Sequence, residues 1–196
     1  MKFFDEKRGV VVGDRGTILV TADGGENWEK IQTNLPENLY ALSFYDDKIG
    51  YAVGAKGTIL RTKDGGKNWQ DLEAPIKINL YDVLAYSESG AIAVGSLGGV
   101  IRTDDGGNSW KIQPNITSNS LQAIEYRGGN NLWVAGRGGS ILKRTKSLSP
   151  IAITGPSIVP SLRPGFSNRK LPPRKPKIRI ADDGDIPLAS KPKPSN

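Results

Sequence analysis

The sequence predicts an all-β protein built from β-propeller blades. One segment recurs with a step of 41 residues, marked by Val12-Gly13, Val53-Gly54, Val94-Gly95 and Ala135-Gly136. Each repeat consists of short apolar runs separated by glycine turns, and none shows helical periodicity. A period in the low forties with this pattern is typical of blades of about four strands. We therefore expect four four-stranded repeats forming a partial or small propeller, because four blades is the low end for a closed ring.

The second repeat shows the expected strands in order. Residues 39–44 alternate and end in a polar turn, and residues 50–54 lead into a tight turn that ends at a glycine. Residues 58–62 are rich in side chains that favour a pleated surface. Asp64-Gly65-Gly66 then supplies the positive-φ positions of a hairpin, and residues 69–72 form the fourth strand. Such a unit buries little apolar surface alone, so it must stack on its neighbours.

The two terminal repeats are incomplete. The first begins inside its first strand, and the last has lost the Thr-x-Asp-Gly-Gly pattern, with Lys143 to Ser147 in its place. The period predicts the fourth strand of the last blade at residues 150–154. We therefore expect a blade domain over residues 1–155 and a separate tail over residues 156–196.

The tail differs from the blades in composition. It holds nine of the 13 prolines and no apolar period, and the positive net charge of +7 comes mostly from residues 147–196. Such a segment is expected to be extended or disordered, with the alternative that it orders along an acidic or nucleic-acid partner. Its candidate contact residues are Arg169, Lys170, Arg174, Lys175, Lys177 and Arg179. The blades themselves are not expected to bind nucleic acid.

The composition excludes several kinds of chemistry. The chain has no Cys and no His, so disulfides, thiolate zinc sites and Ser–His or Cys–His nucleophiles cannot be built from it alone. We expect no cofactor and no metal. No stretch approaches the ~20 apolar residues of a membrane span, and charges interrupt the N-terminal residues where a signal peptide would be apolar.

The pattern Thr-x-Asp-Gly-Gly-x-x-Trp at residues 21–28, 62–69 and 103–110 resembles the Asp-box (BNR) hairpin of sialidases and related propellers. The longer pattern at residues 50–69, from Gly-Tyr-Ala-Val-Gly to the Trp, resembles the photosystem II stability/assembly factor family. That resemblance implies a non-enzymatic propeller that helps to assemble reaction-centre subunits. It also implies an extracytoplasmic location, in the periplasm or thylakoid lumen, if the N-terminus is truncated.

The repeated acids and tryptophans of the Asp-box are expected to be structural. The aspartates Asp23, Asp64 and Asp105 would accept N–H bonds within their own hairpins, and the tryptophans Trp28, Trp69 and Trp110 would bury apolar area between sheets. A catalytic residue is usually unique to one blade, whereas these recur. The neighbouring acid Asp104 is expected to be a solvated turn residue.

Basic residues at repeat-equivalent positions are the candidate partner-binding residues. Arg15, Lys56 and Arg137 occupy the turn between the second and third strands, on the face expected to carry the loops that join blades. Arg61, Arg102 and Lys143 share a position on the third strand. The simpler interpretation of all six is that they are solvated surface charges.

Two other functions stay open beside a protein-binding assembly propeller. One is a structural component of a large particle, such as a virion or envelope complex, with the tail as an anchoring arm. The other is a glycan-binding or glycosidase-like propeller, which needs two carboxylates facing one cleft; Asp14, Asp82 and Glu125 are candidates that no spacing singles out. The expected partners are proteins, such as subunits of a membrane complex or particle neighbours. The exposed sheet edges of the end blades favour a homo-oligomer or a subunit of a larger assembly.

The first testable prediction concerns the division at residue 155. Limited proteolysis should cleave first at residues 163–179, because an extended basic segment without a core is accessible to trypsin. Mass spectrometry of the products should show loss of the tail before any cut within the blades. A tail that resists trypsin as long as the blades do in the isolated protein would contradict the division.

Overall fold

The computed structural model describes residues 1–128 and 131–144, which form four antiparallel sheets in chain order, here called blades 1 to 4. Blade 1 contains β1 (Lys2–Phe3), β2 (Gly9–Val12), β3 (Ile18–Thr21) and β4 (Glu29–Ile31). Blade 2 contains β5 (Leu39–Phe44), β6 (Gly50–Gly54), β7 (Ile59–Thr62) and β8 (Gln70–Leu72). Blade 3 contains β9 (Leu80–Ala85), β10 (Ala91–Gly95), β11 (Val100–Thr103) and β12 (Lys111–Ile112). The described part of blade 4 contains β13 (Leu121–Tyr126), β14 (Leu132–Gly136) and β15 (Ile141–Lys143).

The predicted fold class is confirmed: the strands of every blade pair antiparallel in the order of the chain. The predicted second-repeat strands at 39–44 and 50–54 coincide with β5 and β6, and the predicted third and fourth strands begin one residue before β7 and β8. The strand expected at 150–154 and the tail lie outside the described residues, so the boundary at 155 stays a prediction. Across the described ranges, no helix is long and apolar enough to span a membrane.

The glycine that ends the second strand of blades 2, 3 and 4 has a steric cause, which Gly13 of blade 1 does not share. A Cβ on Gly54 would collide with the carbonyl of Asn38, in the loop that enters blade 2 from blade 1. The same collision would occur between Gly95 and Asn79, and between Gly136 and Ser120. The loop that joins two blades therefore lies directly against the backbone of the second strand, and only glycine permits that approach.

Stacking of neighbouring blades buries the apolar core. Tyr51, Val53 and Ile59 on one face of blade 2 are fully buried against blade 3. Ala52 and Leu60, on the opposite face of the same strands, are buried against blade 1. This alternation is the two-residue period of a strand that is covered on both faces. Each middle blade is therefore stabilised by two neighbours.

The outward faces of blades 1 and 4 lack such a neighbour within the described residues. Val11 and Leu19 of blade 1 repeat the positions of Ala52 and Leu60, yet both are partly exposed. Ile141 of blade 4 repeats the position of Ile59 and is 56% exposed. Packing runs from blade to blade along the chain, and no extensive contact joins blade 1 to blade 4 in the part of the chain that is described. The described blades therefore form an open row with two uncovered ends.

The difference in burial between Ile59 and Ile141 predicts that replacing each with alanine lowers the free energy of unfolding by different amounts. Ile59→Ala should lower the free energy of unfolding by about 2–5 kcal/mol, because Ile59 is 0% exposed and its loss leaves a cavity between two blades. Ile141→Ala should cost less than about 1 kcal/mol in dilute monomer, because a side chain that is already solvated loses little burial. Urea denaturation followed by circular dichroism measures both. Equal costs would mean that Ile141 is covered as fully as Ile59.

Candidate functional site

Each Asp-box hairpin is held by a closed set of hydrogen bonds. In blade 1, Asp23 accepts bonds from the Thr21 hydroxyl at 2.7 Å, the Asn27 backbone N–H at 3.0 Å and the Asn27 side-chain amide at 2.8 Å. The Thr21 hydroxyl oxygen in turn accepts the Gly25 N–H at 2.9 Å. The same contacts recur with Thr62, Asp64, Gly66 and Asn68 in blade 2 and with Thr103, Asp105, Gly107 and Ser109 in blade 3. Both carboxylate oxygens of each aspartate are thus engaged within the hairpin itself.

These bonds favour the ionised carboxylates. The bonds from Asn27 lower the pKa of Asp23 to about 2, and those from Ser109 lower the pKa of Asp105 to about 2. Burial acts against ionisation at Asp64, but its bonds to Asn68 and Thr62 outweigh burial and lower its pKa. Sequence reasoning identified the aspartates and missed the threonine and the Asn or Ser that bind them. Their recurrence at the same spacing as the aspartates was the available signal.

The three tryptophans differ in burial according to their neighbours. Trp110 of blade 3 is 7% exposed and meets Tyr51 of blade 2 edge to face, with ring centroids 5.9 Å apart. Trp69 of blade 2 is half-buried, and its indole N–H donates to the Gly66 carbonyl at 2.8 Å. Trp28 of blade 1 is also half-buried, on the uncovered end of the row, where it meets Phe3 at 6.1 Å. Each tryptophan faces the position of the preceding blade.

The turns between second and third strands gather on one face with the loops that join blades. The backbone N–H of Arg15 donates to the Asn38 side chain at 3.0 Å, and that of Lys56 donates to the Asn79 side chain at 3.1 Å. The Arg137 N–H donates to the Ser120 carbonyl at 2.8 Å. We call this surface, formed by the turns at 14–16, 55–57, 96–98 and 137–139 with the adjoining loops, the turn face.

The cations of the turn face are exposed. One of them, Arg137, does not occupy the repeat position that was expected for it. Arg15 and Lys56 both sit at the positive-φ residue of the turn, with φ of 51° and 54°. That position is Leu97 in blade 3 and Gly138 in blade 4, so Arg137 lies one residue earlier and is not their repeat equivalent. The exposed Lys56 forms an ion pair with the partly buried Glu37 at 3.6 Å, close to the surface. Ion pairs of this kind contribute little to stability, which leaves the cations available to a partner.

Two tyrosines add an aromatic element to the turn face. The rings of Tyr40 and Tyr81 lie 5.8 Å apart across blades 2 and 3, and Tyr40 is 43% exposed. The Tyr81 hydroxyl oxygen accepts a bond from the hydroxyl of Ser96, in the turn of blade 3, which lowers the pKa of Tyr81. Both residues fall where the pairing of the first two strands shifts register. Sequence reasoning missed them because a bulge is not visible in the apolar alternation.

The third-strand cations occupy a different place, on the face that meets the following blade. Arg61 lies over the ring of Tyr51 at 5.7 Å and donates to the Glu88 carbonyl at 3.4 Å. Lys143 lies over the Trp133 ring at 4.8 Å on the uncovered end of blade 4. Arg102 is only 4% exposed, so the interpretation of this residue as a solvated surface charge is wrong.

Arg102 is instead part of a charged cluster between blades 3 and 4. Its guanidinium donates to the Tyr86 hydroxyl oxygen at 3.0 Å and to the Asp104 carboxylate, and the Tyr86 hydroxyl donates to Asp104 at 2.6 Å. Asp104 is expected to be a solvated turn residue; it lies in the hairpin turn with its side chain 47% exposed, and it also binds Arg102 and Tyr86. A buried guanidinium requires a counter-charge, and Asp104 provides it.

Two of the other candidate acids, Asp82 and Glu125, lie near each other where blades 3 and 4 meet, and each already has a partner. Asp82 accepts the backbone N–H of Ile124 at 2.8 Å and so ties blade 3 to blade 4, while burial raises its pKa. Glu125 pairs with Arg127 at 2.7 Å on the surface. Within residues 1–128 and 131–144, no group of three acids is placed to hold a metal ion. The six basic tail residues, from Arg169 to Arg179, lie outside the described residues.

Four-stranded blades tied by Asp-box hairpins define a repeat β-propeller protein. A family profile described as photosynthesis system II assembly factor YCF48 matches residues 1–111, more than half of the 196-residue chain. The chain belongs to this family. No curated protein matches it.

Two solved structures resemble the fold. One, described as YCF48 bound to D1 peptide, is 23% identical with a TM-score of 0.57 and covers 74% of this chain and 52% of that chain. The other, YCF48 from Cyanidioschyzon merolae, is 25% identical with a TM-score of 0.55 and covers 75% of this chain and 56% of that chain. This chain therefore spans about half the length of the solved structures that it matches.

The hairpin geometry predicts a pH-dependent cost for Asp64→Asn. The substitution should lower the free energy of unfolding by about 1–3 kcal/mol at neutral pH, because Thr62 and the Asn68 N–H lose their charged acceptor. The pKa of Asp64 is lowered by folding, so its contribution is complete above the ordinary carboxyl pKa of 3.8 and is lost as pH falls below it. The gap between wild type and variant should therefore narrow in acid.

Urea titrations at neutral and acid pH measure this gap. Asp71→Asn is the matched control, since Asp71 is exposed on β8 in the same blade. A variant as stable as wild type at neutral pH, or a gap that widens in acid, would contradict the structural role of the carboxylate.

Proposed function

We propose that this chain is a non-enzymatic protein-binding propeller that presents the turn face to a protein partner during assembly of a complex. The observation that carries the proposal is membership of the assembly-factor family over residues 1–111. The solved relative in complex with a D1 peptide supports a peptide segment as the kind of ligand.

The distribution of polar groups favours a binding role over catalysis. The Asp-box carboxylates are engaged by their own hairpins, and Asp82 and Asp104 are used between blades 3 and 4. A glycosidase needs two carboxylates at a set separation across one cleft. These acids are structural acceptors in the fold, which supports a role without covalent chemistry.

The turn face has the composition of a protein-binding surface. It combines exposed cations, Arg15, Lys56 and Arg137, with the exposed Tyr40. Arginine and tyrosine are enriched in interfaces because they combine apolar contact with directional hydrogen bonding. The cations favour a partner segment that carries carboxylates. The turns and loops are also fixed to one another by the Asn38 and Asn79 bonds, so little ordering is required on binding.

Charge reversal on the turn face tests this proposal. A labelled D1 peptide is titrated with the full chain and read by fluorescence anisotropy. The triple variant Arg15→Glu, Lys56→Glu, Arg137→Glu should weaken binding by about tenfold or more, equivalent to about 1.4 kcal/mol. Added salt should weaken wild-type binding more than binding by the variant.

The matched control reverses the same number of charges on the hairpin side. Lys7, Lys63 and Lys67 are exposed there, and Lys7→Glu, Lys63→Glu, Lys67→Glu should leave peptide affinity within about twofold. A peptide with the same composition in scrambled order reports non-specific attraction. Equal losses in the two triple variants, or no binding by wild type, would overturn the placement of the site on the turn face.

A further inference from the structure

We infer that two copies of this chain close into a single ring, with blade 4 of each copy packed against blade 1 of the other. This assembly is independent of any peptide bound on the turn face. It follows from the two uncovered faces at the ends of the row. The face of blade 1 resembles one side of the contact between blades 2 and 3, and the face of blade 4 resembles the other side.

The uncovered face of blade 1 is one half of that contact. Val11, Leu19 and Trp28 repeat the register positions of Ala93, Ile101 and Trp110. The three residues of blade 3 are 0%, 0% and 7% exposed, because blade 2 covers them. Their counterparts in blade 1 are all partly exposed. An apolar set of this kind in a soluble protein marks a contact surface.

The uncovered face of blade 4 is the other half. Trp133, Ile141 and Lys143 repeat the register positions of Tyr51, Ile59 and Arg61, with which blade 2 meets blade 3. Ile59 is 0% exposed, whereas Ile141 is 56% exposed. Lys143 already lies over the ring of Trp133, in the same arrangement as Arg61 over Tyr51. Blade 4 thus carries the side chains that, in blade 2, pack against the next blade in the chain.

The contact between blades 2 and 3 gives the expected pairing. Tyr51 meets Trp110 edge to face at 5.9 Å, so Trp133 of one copy should meet Trp28 of the other. The Arg61 guanidinium lies against Gly106, so Lys143 should lie against Gly24 of the second copy. Both pairings place an existing side chain on an existing partner position, and neither requires a new surface.

The two ends of the row are open to a second copy. Blade 1 and blade 4 are not packed together in the described part of one copy. Two copies give eight blades, within the usual range for closed propellers. A twofold axis then makes the two contacts identical and covers both of the exposed blade faces.

Mass in solution tests the assembly. Sedimentation of the full 196-residue chain at tens of micromolar should give twice the 21.1 kDa chain mass. Leu19→Asp at one end and Ile141→Asp at the other should each shift the chain to monomer at that concentration, because each substitution alters both contacts of the ring. Leu97→Asp is the matched control, since Leu97 is 66% exposed on the turn face and away from both ends. It should sediment as wild type does.

Mixing the two end variants distinguishes this ring from other dimers. One copy of each retains a single wild-type contact, so the mixture should contain dimer that neither variant forms alone. The chain has no cysteine, which permits a direct check with a short bis-maleimide cross-linker. Leu19→Cys mixed with Ile141→Cys should cross-link, and each variant alone should not.

Three outcomes would overturn the inference. The first is a wild-type chain that stays monomeric at tens of micromolar, and the second is a dimer that Ile141→Asp leaves intact. The third is cross-linking of Leu19→Cys to itself, which would place two copies of blade 1 against each other.

Discussion

Packing between neighbouring blades is the interaction on which the rest of this structure depends. A four-stranded antiparallel sheet of short strands has two apolar faces and cannot cover either by itself. Blade 2 shows the solution, because Tyr51 and Ile59 are buried on one side while Ala52 and Leu60 are buried on the other. The stability of any blade is therefore a property of its place in the row.

The Asp-box hairpin supports this packing from within each blade. The aspartate and threonine hold the turn so that the tryptophan at its end points to the preceding blade, as Trp110 points to Tyr51. The carboxylate thus contributes through local geometry, while the indole contributes through burial. This division explains why both residues recur together although they do not touch the same partner.

Periodicity predicted the strands well because strands and glycine turns are local features. The 41-residue step located β5 and β6 to the residue, and it located Gly54, whose close approach to the Asn38 carbonyl has equivalents at Gly95 and Gly136 but not at Gly13. The hairpin aspartates were predictable for the same reason, since their bonds span four residues. Sequence patterns that span only a few residues therefore produced the same turn and strand in each repeat that carries them.

Features that depend on the contact between two blades were not predictable from one repeat. Arg102 and Arg61 occupy the same strand position, yet only Arg102 meets a tyrosine hydroxyl and an aspartate that bury it. Tyr86 and Asp104 are needed for that cluster; Tyr86 repeats Tyr45, whereas an aspartate occurs at the Asp104 position in blade 3 alone, where blade 2 has Lys63. The turn face was only partly predicted, since the pairing of Tyr40 with Tyr81 arises from a bulge and from the spacing of two blades. The sequence shows which residues recur at equivalent positions. Where equivalent residues have different environments, the cause is a contact with residues distant in the chain.

The loop residue Asn38 has a mechanical consequence for the whole turn face. Its side-chain oxygen accepts the Arg15 N–H of the blade behind it, and its main-chain carbonyl accepts the Ala55 N–H of the blade ahead. Asn79 repeats the arrangement with Lys56 and Ser96. Each of these asparagines thus forms hydrogen bonds to the turns of two adjacent blades. Movement of one turn is therefore transmitted to the next through these hydrogen bonds. The turns of blades 1, 2 and 3 are therefore linked in series, so displacement of one turn strains the hydrogen bonds that fix the next.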